Sequence, residues 1–249
     1  MRVVIERVLV SVALLALWQG LPAVGLGDRF FISSPVAVAS LIWDWISSGE
    51  LIANVWVTAR EAVFGLVIGS ALGAVFGLAC GLNDAISRAL VPLMTVGNAL
   101  PRLAFAPLLI AWFGFGLSSK VVLAASVVFF FIFFGVYSGI RSGSGLLVAN
   151  ARILGGRGLA LLWHVHLPQA IGWIIAGLRL AVGYAFAAAV IGEYLGSDSG
   201  LGYLIEYGKE MLDMTQVFAG LAVVMVIVGC LDVILRRVGT YARRSTAVP

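Results

Sequence analysis

Asn150-Ala151-Arg152-Ile153-Leu154-Gly155-Gly156-Arg157, continued at Val165-His166-Leu167-Pro168, is a polar and basic island between two long apolar runs. It reads as a short helix, a glycine break and a second short helix stopped by proline. No other interruption between predicted spans is as long and as basic. A membrane protein that keeps a shaped cationic loop at such a place holds something on the cytoplasmic side.

The composition around this island excludes a soluble single domain. Of 249 residues, 61% are hydrophobic and 11% charged, with a mean hydropathy of +1.07. A bilayer crossing needs roughly 20 apolar residues. The charges that bound the apolar runs mark spans near Val8 to Pro22, Ala62 to Leu82, Leu103 to Leu117, Val121 to Ile140, Ile171 to Gly192 and Val217 to Leu235. The first run has Arg2 and Arg7 ahead of it, as a signal peptide would. The residues after Trp18 make a weak cleavage site, so it is read as a retained helix.

Lys and Arg placement orients the chain. With the N-terminus inside, Arg2, Arg7, Arg88, Arg102, Arg141, Arg152, Arg157, Arg236, Arg237, Arg243 and Arg244 fall on the cytoplasmic side. Asp28, Asp44, Glu50, Glu193, Asp198, Glu206, Glu210 and Asp213 fall opposite. Both termini are therefore predicted to be cytoplasmic. The net charge of +4 follows from this sorting and from anionic lipid, and calls for no nucleic acid. Cys80 and Cys230 lie in or at the end of spans and read as small packing residues, not as a disulfide or zinc pair.

Several features organise the chain between the spans. Ser33, Ser34 and Pro35 open a segment in which Val38, Leu41, Ile42 and Trp45 recur at helical spacing, which predicts an interfacial helix on the outer surface. Gly65, Gly69, Gly73, Gly77 and Gly81 then fall every fourth residue, a stripe that lets another helix approach at backbone distance. Static packing and a sliding seam both fit it, and the commonness of such seams favours the first. Pro92, Pro101 and Pro107, with Gly97 and Asn98, interrupt the region before the third span, which reads as lining a pathway or its cytoplasmic mouth. Glu193 to Gly196 lead into Ser199-Gly200-Leu201-Gly202-Tyr203, where an outer gate, a short re-entrant helix or an ordinary surface loop would fit. Arg60 and Glu61 stand at the outer start of the second span. Arg179, inside the fifth, either attracts an anion or snorkels to a structural partner, and its length favours the latter.

Catalytic chemistry is missing. No glycine-rich loop ends in Lys and Ser or Thr, and there is no His-Glu-x-x-His. His164 and His166, the only histidines, point to different helix faces, which argues against a metal site. Ser142 to Gly145 and Ser197 to Gly200 look like nucleophile turns, but neither has a base in reach. An ATP-independent carrier or channel is disfavoured because no buried carboxylate or proton relay is predicted mid-span and no inverted repeat is visible. No enzymatic activity is therefore expected of the chain.

The chain resembles the inner-membrane permease subunits of binding-protein-dependent ABC importers, and within them the nitrate, sulfonate and taurine branch. The family loop reads Glu-Ala-Ala, three residues, Gly, nine residues, Ile, one residue, Leu-Pro. Here the spacing runs from Ala149, Asn150 and Ala151 through Gly155 to Val165, Leu167 and Pro168. Ser34-Pro35, the stretch Pro101 to Gly116 with Pro107, Trp112 and Phe113, and Gly177-Leu178-Arg179 followed by Glu193, Leu195, Gly196 and Ser199 to Tyr203 also look like that branch. The similarity covers Ser33 to Arg237. The family glutamate is Ala149 here, so whatever contact that carboxylate makes is lost or transferred.

The resemblance implies an all-α membrane protein of about six transmembrane helices with type I ABC importer permease (MetI-like) architecture. It implies residues 1–53 as a first transmembrane helix and interfacial helix, 54–238 as the type-1 core and 239–249 as a cytoplasmic basic tail. It also implies that Ala149, Asn150, Ala151, Arg152, Leu154, Gly155, Val165, Leu167 and Pro168 form a coupling loop. Gly155 and Pro168 would shape that loop, while Ala151, Arg152 and Leu154 touch a cytosolic ATP-binding subunit. ATP and Mg would sit in that subunit, with no cofactor on this chain. The remaining implied partners are an external solute-binding protein, a second copy of the chain and the bacterial inner membrane. Arg179, Glu193, Gly200 and Gly202 are candidates for a pathway or gate. The expected solute is a small anion such as a sulfonate, nitrate or taurine, with a thiamine precursor or similar heterocycle as the alternative.

Overall fold

The computed structural model describes residues 2–21, 29–143 and 145–246. Pro22 at the end of the expected first span, Asp28, Ser144 and residues 247–249 of the expected tail lie outside them. The α-helices among the described residues are α1 (Arg2–Gly20), α2 (Arg29–Ile32), α3 (Pro35–Ser48), α4 (Glu50–Leu82), α5 (Asp84–Ala99), α6 (Ala106–Phe113), α7 (Leu117–Gly143), α8 (Gly145–Ile153), α9 (Leu159–Leu161), α10 (Leu167–Leu195), α11 (Leu201–Glu210) and α12 (Met214–Thr246). Among the described residues, four stretches are long and apolar enough to cross a membrane: Glu50–Leu82, Leu117–Arg141, Leu162–Leu195 and Met214–Leu235. A bent pair, Asp84–Ala99 with Arg102–Phe113, makes a fifth if counted as one span.

Two sequence expectations are corrected here. The second span begins at Glu50, well before Ala62, because Arg60 and Glu61 are accommodated inside the helix and do not end it. Arg60 stays exposed, whereas Glu61 is buried. The third span is not one helix from Leu103 to Leu117. Its two arms meet at 79°. Leu100, held extended (φ −69°, ψ 138°) ahead of Pro101, ends α5, and a 3-10 turn at Arg102–Phe105 starts the return arm. Arg102 steadies the corner by donating to the Asn98 carbonyl oxygen at 2.7 Å while its guanidinium lies 4.3 Å from the Phe130 ring centroid.

Helix α7 lies between α4 and α10 and packs most extensively on both. Its buried Val128, Ile132, Val136 and Ile140 recur every fourth residue and form one ridge with Ala181, Ala185 and Ala189 of α10. The glycine stripe of α4 takes up the other side. A Cβ would stand 2.5 Å from the Ala125 carbonyl oxygen at Gly69, 2.6 Å from that of Phe129 at Gly73, and 2.9 Å from that of Phe133 at Gly77. At Gly65 it would meet Ala124, and at Gly81 it would lie 3.0 Å from Ile140 Cβ. Any side chain in this stripe would push the two backbones apart.

The bundle is tied at its loop end by Arg141, whose Nη1 donates to Asp84 Oδ1 at 2.6 Å and Nη2 to the Cys80 carbonyl oxygen at 3.3 Å. Both charged partners are substantially exposed, so this tie sets position more than stability, on the order of 0–1 kcal/mol.

Candidate functional site: the 145–168 loop and the opposite polar node

The loop starts with α8 and turns at Leu154 and Gly155. Gly155 N–H donates to the Arg152 carbonyl at 3.0 Å and Gly156 N–H to that of Ala151 at 2.8 Å. This pair of bonds is a Schellman closure, with Gly155 at the left-handed position (φ +87°). The closure leaves the end of α8 projecting: Ile153 is 82% and Leu154 88% exposed. Gly155→Ala is expected to cost about 1 kcal/mol through the left-handed backbone alone, read as a lowered melting temperature of the purified chain.

The second half of the loop differs from expectation. Pro168 does not stop a short helix. The chain runs from α9 through a π turn, Leu162–His166, directly into α10. Proline lacks an N–H and crowds the carbonyl four residues back, and the wider turn absorbs both defects. Leu167 N–H reaches the Leu162 carbonyl, five residues away, and His164 Nδ1 lies 2.9 Å from the Ala160 carbonyl oxygen. Arg152, Arg157 and His166 line a pocket of about 630 Å³ with Leu82, Gly156, Gly158, Leu161 and Leu162, so the loop folds back against the end of α4. Ala149, Asn150, Arg152 and Pro168 are exposed, while Ala151, Val165 and Leu167 are half-buried. Ile153 continues the exposed apolar tip beside Leu154, and Trp163 of the π turn is exposed as well; neither was a candidate contact residue in the sequence.

The proposed gate residues fall elsewhere and do not form one group. Arg179 Nη2 donates to the Leu235 carbonyl of α12 at 3.3 Å, the structural alternative for that side chain. Glu193, Gly200 and Gly202 meet at the end of the bundle opposite the loop. Glu193, 1% exposed, accepts from Thr58 Oγ1 at 2.7 Å and from Gly202 N–H at 2.8 Å. Thr58 Oγ1 in turn accepts from Leu201 N–H at 2.9 Å, and Asn54 Oδ1 from Gly200 N–H at 2.7 Å. The open start of α11 is thereby capped by side chains from another helix. Gly200 (φ +105°) leaves room for the Glu193 carboxylate, which a Cβ there would strike, and Gly202 lets the start of α11 approach α10, where a Cβ would strike the Val190 carbonyl oxygen and stand 2.7 Å from Glu193 Cβ.

Glu61 and Lys120, 3% and 1% exposed, complete this node. Lys120 Nζ donates to the Phe115 carbonyl oxygen. The expectation that no carboxylate is buried within a span is thus corrected: Glu61 lies 11 residues inside α4 and Glu193 near the end of α10. One signal was available, because Asn54, Thr58 and Glu61 stand at i, i+4 and i+7 and draw a polar stripe along one face of α4.

A multi-pass helical bundle with an irregular basic loop at one end and a closed polar node at the other has the form of a membrane transport subunit. The chain belongs to the family of binding-protein-dependent transport system inner membrane components, whose model matches residues 65–244. It is 31% identical over 222 residues to the putative aliphatic sulfonates transport permease protein SsuC of Bacillus subtilis, covering 89% of this chain and 80% of the relative. It is 32% identical over 214 residues to the riboflavin transport system permease protein RibX of Chloroflexus aurantiacus, covering 86% of this chain and 80% of the relative. Its fold matches a chain of the MetNI methionine ABC transporter in inward-facing conformations with a TM-score of 0.61 and 18% identity, over 75% of this chain and 96% of that one. The type I ABC importer permease architecture follows.

Proposed function

We propose that this chain is the permease subunit of an ATP-driven importer, and that it docks on a cytosolic ATP-binding subunit through the 149–168 loop. The observation that carries this reading is the apolar tip of α8, where Ile153 and Leu154 stand 82% and 88% exposed on a loop built by Gly155 and Pro168. A projecting helix end of this kind fits a groove on a partner. Arg152 and Arg157 stand exposed beside it, so the groove facing this loop is acidic at its rim.

ATP and Mg belong to that partner, whose closure would draw two such loops together. The chain pairs with a second copy, and the solute crosses between the two. It is delivered by an external binding protein. Both termini face the cytoplasm, following the distribution of Arg and Lys. The solute is a small anion of the sulfonate, nitrate or taurine type, as the sulfonate relative supports. The riboflavin relative supports a second reading, a small heterocycle.

Leu154→Glu is expected to abolish recovery of an ATPase with the tagged chain solubilised from its native host, while the melting temperature of the chain stays unchanged. An ATPase that still co-purifies with this variant sinks the docking role. ATP-dependent uptake of labelled taurine, competed by an alkanesulfonate, is the expected transport result. Competition by riboflavin alone selects the second solute.

A further inference from the structure

The node around Glu193 has a charge problem that its hydrogen bonds do not solve. Glu61 stands one turn from Thr58 on the same buried face of α4, and Thr58 Oγ1 donates to the Glu193 carboxylate, so the two carboxyl groups are neighbours in the node. Both are almost fully buried, and two ionised carboxylates in contact away from water repel strongly. Glu61 Oε2 is buried and has no hydrogen-bond partner among the described residues. Neighbouring donors are engaged elsewhere: Thr58 Oγ–H and Gly202 N–H serve Glu193, and Lys120 Nζ serves the Phe115 carbonyl.

The charged groups facing the pair are few. Lys120, from α7, is the one buried cation among the described residues. Arg60 acts on Glu61 and Asp198 acts on Lys120, both from exposed positions. Two carboxylates against one ammonium leave a net charge of −1 in the interior, and one added proton makes it zero.

We propose that Glu61 and Glu193 form a proton-binding site, holding one proton between their carboxyl oxygens at neutral pH. The proton gives Glu61 its missing partner, removes the repulsion and leaves a neutral triad with Lys120. It fastens α4 to the end of α10 and, through the Gly202 amide, to the start of α11. This site does not depend on the transport assignment, since it rests on burial and contact alone.

The test is the infrared spectrum of the full-length chain in lipid nanodiscs at neutral pH, taken in H2O and D2O. The expected result is a protonated carboxylic-acid band that shifts in D2O and is lost in both Glu61→Gln and Glu193→Gln. In each variant the remaining carboxyl ionises against Lys120. Lys120→Met is expected to increase the band, because neutrality then needs a second proton. Glu61→Gln should keep the wild-type melting temperature, its amide replacing the shared proton, whereas Glu61→Ala should lower it. Absence of the band in the wild type overturns the site, as does a band that survives Glu193→Gln, which would mean Glu61 is protonated alone. If Glu193→Gln fails to fold, a band unchanged in Glu61→Gln overturns it equally. A melting temperature that rises with sodium and no acid band would put a metal cation in the proton's place.

Discussion

Gly73→Leu is expected to prevent the bundle from assembling in its native form. Overpacking a filled core costs about 1–3 kcal/mol when neighbouring side chains can move aside. At Gly73 the obstacle at Cβ is the Phe129 carbonyl oxygen, 2.6 Å away, and it belongs to the backbone of α7. The two helices must separate, and the same seam carries Gly69 and Gly77 one turn to either side. A loss of about 3 kcal/mol or more is expected, seen as a large fall in melting temperature or failure to recover folded protein. Gly183→Ala is the control, because a Cβ there meets only Val228 Cγ1 at 3.6 Å. Equal melting of the two variants would show that the glycine stripe does not set the approach of α4 to α7.

Glu193→Ala is expected to have an effect of comparable size. It removes the acceptor for Gly202 N–H and for Thr58 Oγ1 and leaves Glu61 and Lys120 in a widened interior. Breaking a buried, hydrogen-bonded charge cluster by deleting one member costs about 3–5 kcal/mol. Glu193→Gln should lose much less, since its amide oxygen still accepts from Gly202. The difference between the two melting temperatures measures what the acceptor contributes to holding α11. If both melt like the wild type, the start of α11 is held by apolar packing around Leu201 and Leu204, which are also buried.

The features legible in the sequence are those written in local spacing. A glycine every fourth residue can only be one stripe of one helix, and it lies against α7 along its length. The Gly155 turn was legible for the same reason, because closing α8 needs only residues 151–156. The third span was misread because apolar length was counted without the corner that Leu100 and Pro101 impose. The polar node was missed because its members come from positions such as Thr58 and Glu193, 135 residues apart. Charges were also taken to mark the ends of spans, whereas Glu61 and Lys120 sit inside helices and compensate one another in the interior.

The π turn at Leu162–His166 makes the aim of the loop a matter of phase. An α-helix advances about 100° per residue around its axis, and a turn closed five residues back holds one residue more than the regular ladder. Everything ahead of it is therefore offset by that angle from where an uninterrupted α10 would have carried it. Deleting one residue within Leu162–His166 would restore the regular ladder and turn the chain ahead of it, the tip of α8 included, by about 100° around the α10 axis. The direction in which the tip of α8 points is thus encoded by a residue count in the π turn and depends little on which side chains fill the interval.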